Sequence, residues 1–504
     1  MSTIDQTRTK ATPKQWAALA VLMLPVLLVS IDNTVLSFAL PHIARDLLPT
    51  AAAQLWIVDA YPLVLAGLLV AMGNLGDRYG RRRVLLIGSI GFGAVSVVAA
   101  FAPDATWLIA ARVLLGFFGA MLMPSTLSLL RSTFSDRRQR RLAIAIWATG
   151  FSAGSAIGPI VGGVLLEHFW WGSTFLIAVP VLLPLLILAP ILVKESKDPA
   201  PGPFDLPSIL LSMAALAPIV YAIKSFATEG VGVLPVALVL VGATAGVLFV
   251  RRLLSRENPM LDMKLFRVPA FSGAVVVNLV SVFSLVGFLF FLTQHLQLVL
   301  GMAPFDAAMA LVPGTVVIIA AGLLVVPLVR LVRPGFIMAA GLTLSLGAYA
   351  SIAVIGGDAT IVSLVVAFCV LGAGIGAAET LSNDLIISSV PAAKAGAASG
   401  VSETAYEVGA VLGTAVLGSI LAASYRTAIE IPGAIGTADA ATARETLAGA
   451  VEVSSALPDA LGGELLRSAR AAFDSGVVTT SWVAVALMAV AITVTLVTLR
   501  KVRA

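Results

Sequence analysis

The chain has 504 residues, 59% hydrophobic and 12% charged, with a formal net charge of +5 and a mean hydropathy of +1.01. A soluble domain carries about 25% charged residues, so this composition excludes a soluble globular enzyme and describes an all-α chain that crosses a membrane many times. With one cysteine, Cys369, an intramolecular disulfide and a cysteine-rich metal site are excluded as well.

The polar N-terminus, MSTIDQTRTKATPKQW, leads into an apolar run too long for a signal-peptide core, and that run reads as the first spanning helix. A span needs about 20 apolar residues. Fourteen are predicted, at 16–40, 54–73, 84–102, 106–130, 142–166, 173–193, 207–226, 233–251, 271–296, 305–329, 336–355, 360–388, 397–421 and 478–499. An even count puts both termini on one side, and the distribution of positive charge says which. With the termini inside, inner segments hold 25 of the 32 Lys and Arg residues. Six are counted to the outer side (Arg45, Lys224, Arg426, Arg444, Arg467, Arg470), and Arg112 lies within a span. Residues 194–206, KESKDPAPGPFDL, read as a Pro-rich inner linker and 252–270 as a basic inner loop. Residues 422–477 form the long outer loop, where ARETLAGAVEVSSAL and GELLRSARAAF are predicted to be short amphipathic helices. No segment is large enough for an ATP-binding or catalytic domain. The three histidines, His42, His168 and His295, have no metal-like spacing, so no metal is expected.

Six of the 27 acidic residues fall inside spans: Asp32, Asp59, Glu379, Asp384, Glu403 and Glu407. An aspartate at the centre of a membrane helix costs about 2.5–3.5 kcal/mol on insertion scales, and such groups face a bundle interior or cavity and mark ion or substrate paths. Asp32, Asp59 and Arg112 lie about eight, five and six residues from the outer ends of their spans, which at 1.5 Å per residue is a similar depth. A cluster of two acids and one arginine is expected there. Glu403 and Glu407 share one helix face at i, i+4. Asp59, Asp384 and Glu403 lie close enough to predicted span ends to fit capping or snorkelling equally well.

Four stretches carry motifs. GNLGDRYGRRR, residues 73–83, follows the second span, with glycines for a tight turn and Asp77 placed to pair with Arg81 or a helix N-terminus. LIAARVLLGFFGA, residues 108–120, carries Arg112. GFSAGSAIGPIVGG, residues 150–163, repeats glycine every fourth position at Gly150, Gly154, Gly158 and Gly162, a small-residue stripe for close helix packing, with Gly163 beside it and a bend at Pro159. Its Gly-x-Ser-x-Gly and the GAGIGA at 372–377 lack the strands that a hydrolase elbow or a dinucleotide site needs. The fourth, IDNTVLSFALP at 31–41, carries Asp32.

These motifs resemble the fourteen-helix drug:proton antiporters of the major facilitator superfamily. QLWIVDAYPLVLAG at 54–67, EHFWWGSTFLIAVP at 167–180, QHLQLVLG at 294–301 and AASGVSETAYEVGAVLGT at 397–414 extend the likeness along the chain. One departure is Leu115, where that family commonly has glutamine before the glycine. The resemblance implies a major facilitator fold: two six-helix bundles at 1–193 and 271–504, with a linker and two inserted helices at 194–270. It implies proton-coupled multidrug efflux by alternating access from a bacterial inner membrane, driven by the proton gradient with no cofactor. The substrates would be lipophilic, mostly cationic compounds such as dyes, quaternary ammonium antiseptics and fluoroquinolones. The expected partners are protons, these small molecules and membrane lipids, with no nucleic acid, and the protein is expected to be a monomer. Proton coupling would fall to Asp32, Arg112 and Asp59. Substrate binding would fall to Asp32, Asp59, Glu403, Glu407, Glu379 and Asp384, with cation–π contacts from Trp56, Phe38, Tyr61 and Phe151. Gly73, Asp77, Arg78, Gly80 and Arg81 would form a latch against the other bundle, and Gly154, Gly158, Pro159, Gly162 and Gly163 the antiporter motif. Export of an endogenous lipid or metabolite by the same fold remains an open alternative.

Overall fold

The computed structural model describes residues 11–500 except 135, 198–204, 230–231, 257–258, 260–262 and 391–394, and leaves some helix side chains undescribed, Phe151 among them. Every described element is helical. In chain order they are α1 (Pro13–Leu47), α2 (Ala51–Tyr79), α3 (Arg81–Ala100), α4 (Ala105–Thr133), α5 (Arg137–His168), α6 (Ser173–Leu176), α7 (Ala178–Leu192), α8 (Leu206–Glu229) and α9 (Val233–Ser255). There follow α10 (Pro269–Gln294), α11 (Pro304–Leu328), α12 (Pro334–Ile355), α13 (Ile361–Ser388), α14 (Ala395–Leu412), α15 (Ser419–Ala428), α16 (Thr437–Glu445), α17 (Leu447–Ala456) and α18 (Asp459–Leu499). Thirteen helical segments among the described residues are long and apolar enough to cross a membrane. The remaining expected span, 142–166, falls within α5.

Local chemistry starts the helices where the sequence has capping residues. Thr50 Oγ1 accepts from the Ala53 amide at 3.2 Å before α2, and Asp104 Oδ1 accepts from Trp107 at 2.9 Å before α4. Each bond satisfies an amide that has no partner within the helix. Large apolar side chains such as Ile90, Leu183, Ile191, Leu240 and Leu323 point outward, as a lipid solvent permits.

Within the N-terminal bundle α1 packs on α5 and α7, α2 on α4, and α3 on α4 and α7. In the C-terminal bundle α13 packs on α10, α11 and α12, with α18 against α10, α12 and α15. The bundles meet through α2 with α14 and α5 with α11. Helices α8 and α9 pair with each other, and α8 lies against both α2 and α15. Hydrogen bonds that join the bundles include Gln54 Nε2 to Gln294 Oε1 at 3.3 Å, Gln297 Nε2 to the Phe38 carbonyl at 3.3 Å, and the Ala51 amide to Glu445 Oε2 at 3.1 Å. All three lie at the end capped by α16 and α17.

The long loop differs from expectation. ARETLAGAVEVSSAL is helical as α17 and the end of α16, but GELLRSARAAF is the opening of α18, a single 41-residue helix. No glycine–proline breaker separates this stretch from the last span. Its buried stripe of Gly462, Leu465, Ala469, Ala472 and Gly476 continues the helical period into the span.

The inserted pair is tied at its base. Arg252 donates from Nε (3.1 Å) and Nη2 (2.7 Å) to Asp205 Oδ1, and Ser208 Oγ donates to Asp205 Oδ2 at 2.6 Å. Burial raises the Asp205 pKa, but the bonds from Arg252 and Ser208 outweigh it and hold the carboxyl below its ordinary 3.8. A depressed carboxyl contributes stability that is present above its unfolded value and lost as pH falls through the folded value. Asp205→Asn is therefore expected to lower the melting temperature at neutral pH. The difference should shrink as pH falls below 3.8 and through the carboxyl's lowered folded value, which thermal unfolding across an acid pH series would check.

Candidate functional site

Asp32 is positioned from behind by glycine packing. A Cβ on Gly154 of α5 would lie 2.6 Å from Ser30 Cβ and 3.0 Å from the Leu27 carbonyl, and one on Gly158 would collide with Thr34 Oγ1. Gly162 faces Val35 in the same way. This stripe seats α5 on the face of α1 that carries Ser30, Thr34 and Val35, and leaves Asp32 turned toward α4. On the other side, a Cβ at Gly116 of α4 would lie 2.7 Å from the Tyr61 carbonyl, so α2 approaches closely one turn after Arg112. The three helices converge on one cation. Arg112 Nη1 donates to Asp32 Oδ2 at 2.7 Å and Nε to the Ile57 carbonyl at 3.2 Å, and the guanidinium lies 4.6 Å from the Tyr61 ring centroid. Arg112 is 1% exposed, while Asp32 stays partly accessible. Leu115 is wholly buried; with no glutamine there, the Ile57 carbonyl is the backbone acceptor for the guanidinium.

Asp59 does not complete this cluster as expected. It pairs with Lys224 Nζ at 2.9 Å, and that ammonium lies 3.8 Å from the Trp56 ring centroid. Asp59 is 0% and Lys224 1% exposed. Counting Lys224 with the outer-side charges is thus corrected: it sits in α8 and turns inward. The site holds two acids and two cations, divided into two pairs. The signal was present in the sequence, a lone lysine inside the predicted 207–226 span, toward the same outer end as Asp59.

The C-terminal bundle adds Glu407, buried and within electrostatic reach of Arg112 and Tyr61. Glu403, one turn earlier on α14, and Glu379 of α13 are half-buried and act on one another. Asp384 is not brought in: it is exposed, one turn from the end of α13. Of the expected aromatics, Trp56 lies on Lys224 and Tyr61 beneath Arg112. Phe38 is a buried packing residue of the pinned end, and the Phe151 side chain lies outside the described residues.

The glycine stripe also faces the other bundle. Gly163 stands where a Cβ would lie 2.8 Å from Phe305 Cα and 3.1 Å from Ala308 of α11, and Pro159 is buried within α5. In the 73–83 loop, Asp77 Oδ1 accepts from Arg81 Nε at 2.8 Å, as its spacing suggests. Gly73 packs on Pro124, and Gly80 takes φ +113°, a left-handed value that favours glycine. Among the described residues, this stretch is stapled within the chain's first half. The Glu195 carboxylate accepts from the amides of Arg82 (3.0 Å) and Arg83 (3.1 Å) at the start of α3, and Ser196 Oγ accepts from Arg81 Nη1 at 3.0 Å. A carboxylate at a helix N-terminus meets both unpaired amides and the positive end of the dipole. Arg78 is exposed over Tyr79.

Two bundles, an inserted helix pair and an arginine–carboxylate pair buried inside the first bundle suggest a carrier, and the Major Facilitator Superfamily model matches residues 22–414. The chain belongs to the major facilitator superfamily. Among its superfamily relatives, the multidrug efflux pump LfrA of Mycolicibacterium smegmatis is 53% identical over 493 residues, 98% of each chain. The methyl viologen resistance protein SmvA of Salmonella typhimurium is 34% identical, covering 91% of this chain and 93% of that one. The tetracenomycin C resistance and export protein of Streptomyces glaucescens is 32% identical, with coverages of 96% and 92%. An inward-facing crystal structure of a bacterial homologue of the lysosomal transporter Spinster superposes with a TM-score of 0.66 at 18% identity, over 98% of this chain and 99% of that chain. The superfamily fold is therefore shown by sequence and by shape, and this superfamily member is a multi-pass membrane protein.

Proposed function

We infer that the protein is a multidrug efflux antiporter that exchanges protons for lipophilic cations. The observation that carries this reading is the Asp32–Arg112 pair, buried where α1, α2 and α4 meet, in a chain 53% identical to a multidrug efflux pump. A proton arriving on Asp32 removes the charge that holds Arg112. Arg112 then feels the charge of Glu407 in the other bundle. A guanidinium held by Asp32 and attracted across the interface supports the reading of a two-state element, which alternating access requires. A deprotonated Asp32 in apolar surroundings suits a hydrophobic cation, and the membrane potential adds about 2.3 kcal/mol per charge per 100 mV to an exchange that moves net charge.

The distribution of positive residues supports a bacterial cytoplasmic membrane location with both termini inside. The pinned, capped end then faces outward, and the described conformation is closed on that side.

The test is reconstitution. In proteoliposomes with an imposed pH gradient, ethidium is expected to move against its own gradient and to stop when an ionophore collapses the pH difference. Movement unaffected by the ionophore would refute proton coupling. Absence of ethidium movement, together with protection of the protein by a co-extracted lipid, would replace the multidrug reading with export of an endogenous lipid.

A further inference from the structure

The inserted helix α8 carries one residue that a passive insertion does not need. Lys224 is close to the end of α8, where a lysine ordinarily extends along its own stem to reach the membrane interface. Instead its ammonium turns into the protein, 2.9 Å from Asp59 Oδ2 and 3.8 Å from the Trp56 ring centroid. Tyr221, one turn earlier, sets its ring 6.0 Å from that of Trp56. Leu63, Val220, Val411 and Ala415 form a dry wall where α2, α8 and the second bundle meet. Thr414 of the π-helical turn after α14 also acts on the Asp59 carboxylate. The other cation acting on Asp59, Arg112, is already engaged by Asp32.

A carboxylate, an aromatic face at cation–π distance and an apolar wall are the recognition elements for an organic ammonium. Here they are filled by the chain's own ammonium. A buried ion pair is weak support for stability by itself, so the pairing calls for another role. We propose that Lys224 is a tethered occupant of an organic-cation subsite formed by Asp59 and Trp56, which the charged end of a substrate enters by displacing it. This rests on the export of lipophilic cations argued above. It makes the inserted helix a working part: each substrate that enters breaks the Lys224–Asp59 tie between α8 and α2, and each that leaves lets it re-form.

The experiment is equilibrium binding of tetraphenylphosphonium to the purified full chain in detergent, comparing the parent, Lys224→Met, Asp59→Asn and the double variant. Lys224→Met is expected to bind about tenfold tighter, the factor regained when a self-ligand no longer leaves the site free only about a tenth of the time. The double variant should lose that gain. Parental or weaker binding by a monodisperse Lys224→Met would overturn the proposal while leaving the export reading standing. Binding by Lys224→Met but not by the parent would support it. Binding by none of the four would overturn both readings. If Lys224→Met does not fold, Lys224→Gln carries the same expectation. If both neutral variants fail and only Lys224→Arg folds, Lys224 is a structural counter-ion and the proposal falls.

Discussion

Asp32→Asn is expected to abolish gradient-driven ethidium export while leaving the protein folded in the membrane. Asparagine keeps the shape of the side chain and can still accept from Arg112 Nη1, which lies 2.7 Å from the native carboxylate. It cannot take up or release a proton. Removing a group that transfers a proton typically costs about 10²–10⁴-fold, and the pH-dependent component of transport should fall by at least about a hundredfold on that scale. Folding should survive because Arg112 retains the Ile57 carbonyl at 3.2 Å and the face of Tyr61. Initial rates with and without the pH gradient, in matched proteoliposomes, give the measurement. A parental gradient-driven rate would move the coupling to Asp59 or Glu407.

The second large effect concerns the glycine stripe. Gly154→Val should cost both transport and stability, because the new side chain meets Ser30 Cβ and the Leu27 carbonyl, and neither can rotate away. Overpacking of this kind costs about 1–3 kcal/mol. Any relief comes from moving α5 and α1 apart two residues from Asp32, which disturbs the backing that orients Asp32 toward Arg112. Gly347→Val is the control, since no heavy atom lies within 4 Å of a Cβ there. Melting temperature and transport should both drop for Gly154→Val and hold for Gly347→Val. Equal behaviour of the two variants would show that the stripe is not a packing constraint.

Much of this was legible in the sequence because a membrane leaves few choices. Apolar runs long enough to span become helices, since the backbone has no other partner in lipid. Acids in such runs turn inward, as Asp32, Asp59 and Glu407 do. Asp384 escaped the rule by sitting near a helix end, where the cost of exposure fades. Lys224 was missed because charge counting assigns cations near span ends to loops, and a four-carbon stem lets lysine go either way. The stop of α16 and the run-on of α18 were hidden for a different reason. A stripe of buried small residues looks the same in a separate amphipathic helix and in an extension of a spanning one, and only the absence of a breaker tells them apart. The Glu195 staple joins residues more than a hundred positions apart, a distance that local pattern does not report.

Helix α18 has a mechanical meaning. Its 41 residues run unbroken from the last span into the cap, about 60 Å of continuous rod at 1.5 Å per residue. The same cap grips the N-terminal bundle through Glu445 on the Ala51 amide. A tilt of the span therefore cannot be absorbed by a flexible joint; it arrives at the surface as a swing of the lever arm. A binder that clamps the cap would brake the whole exchange from outside the membrane, without entering the substrate path.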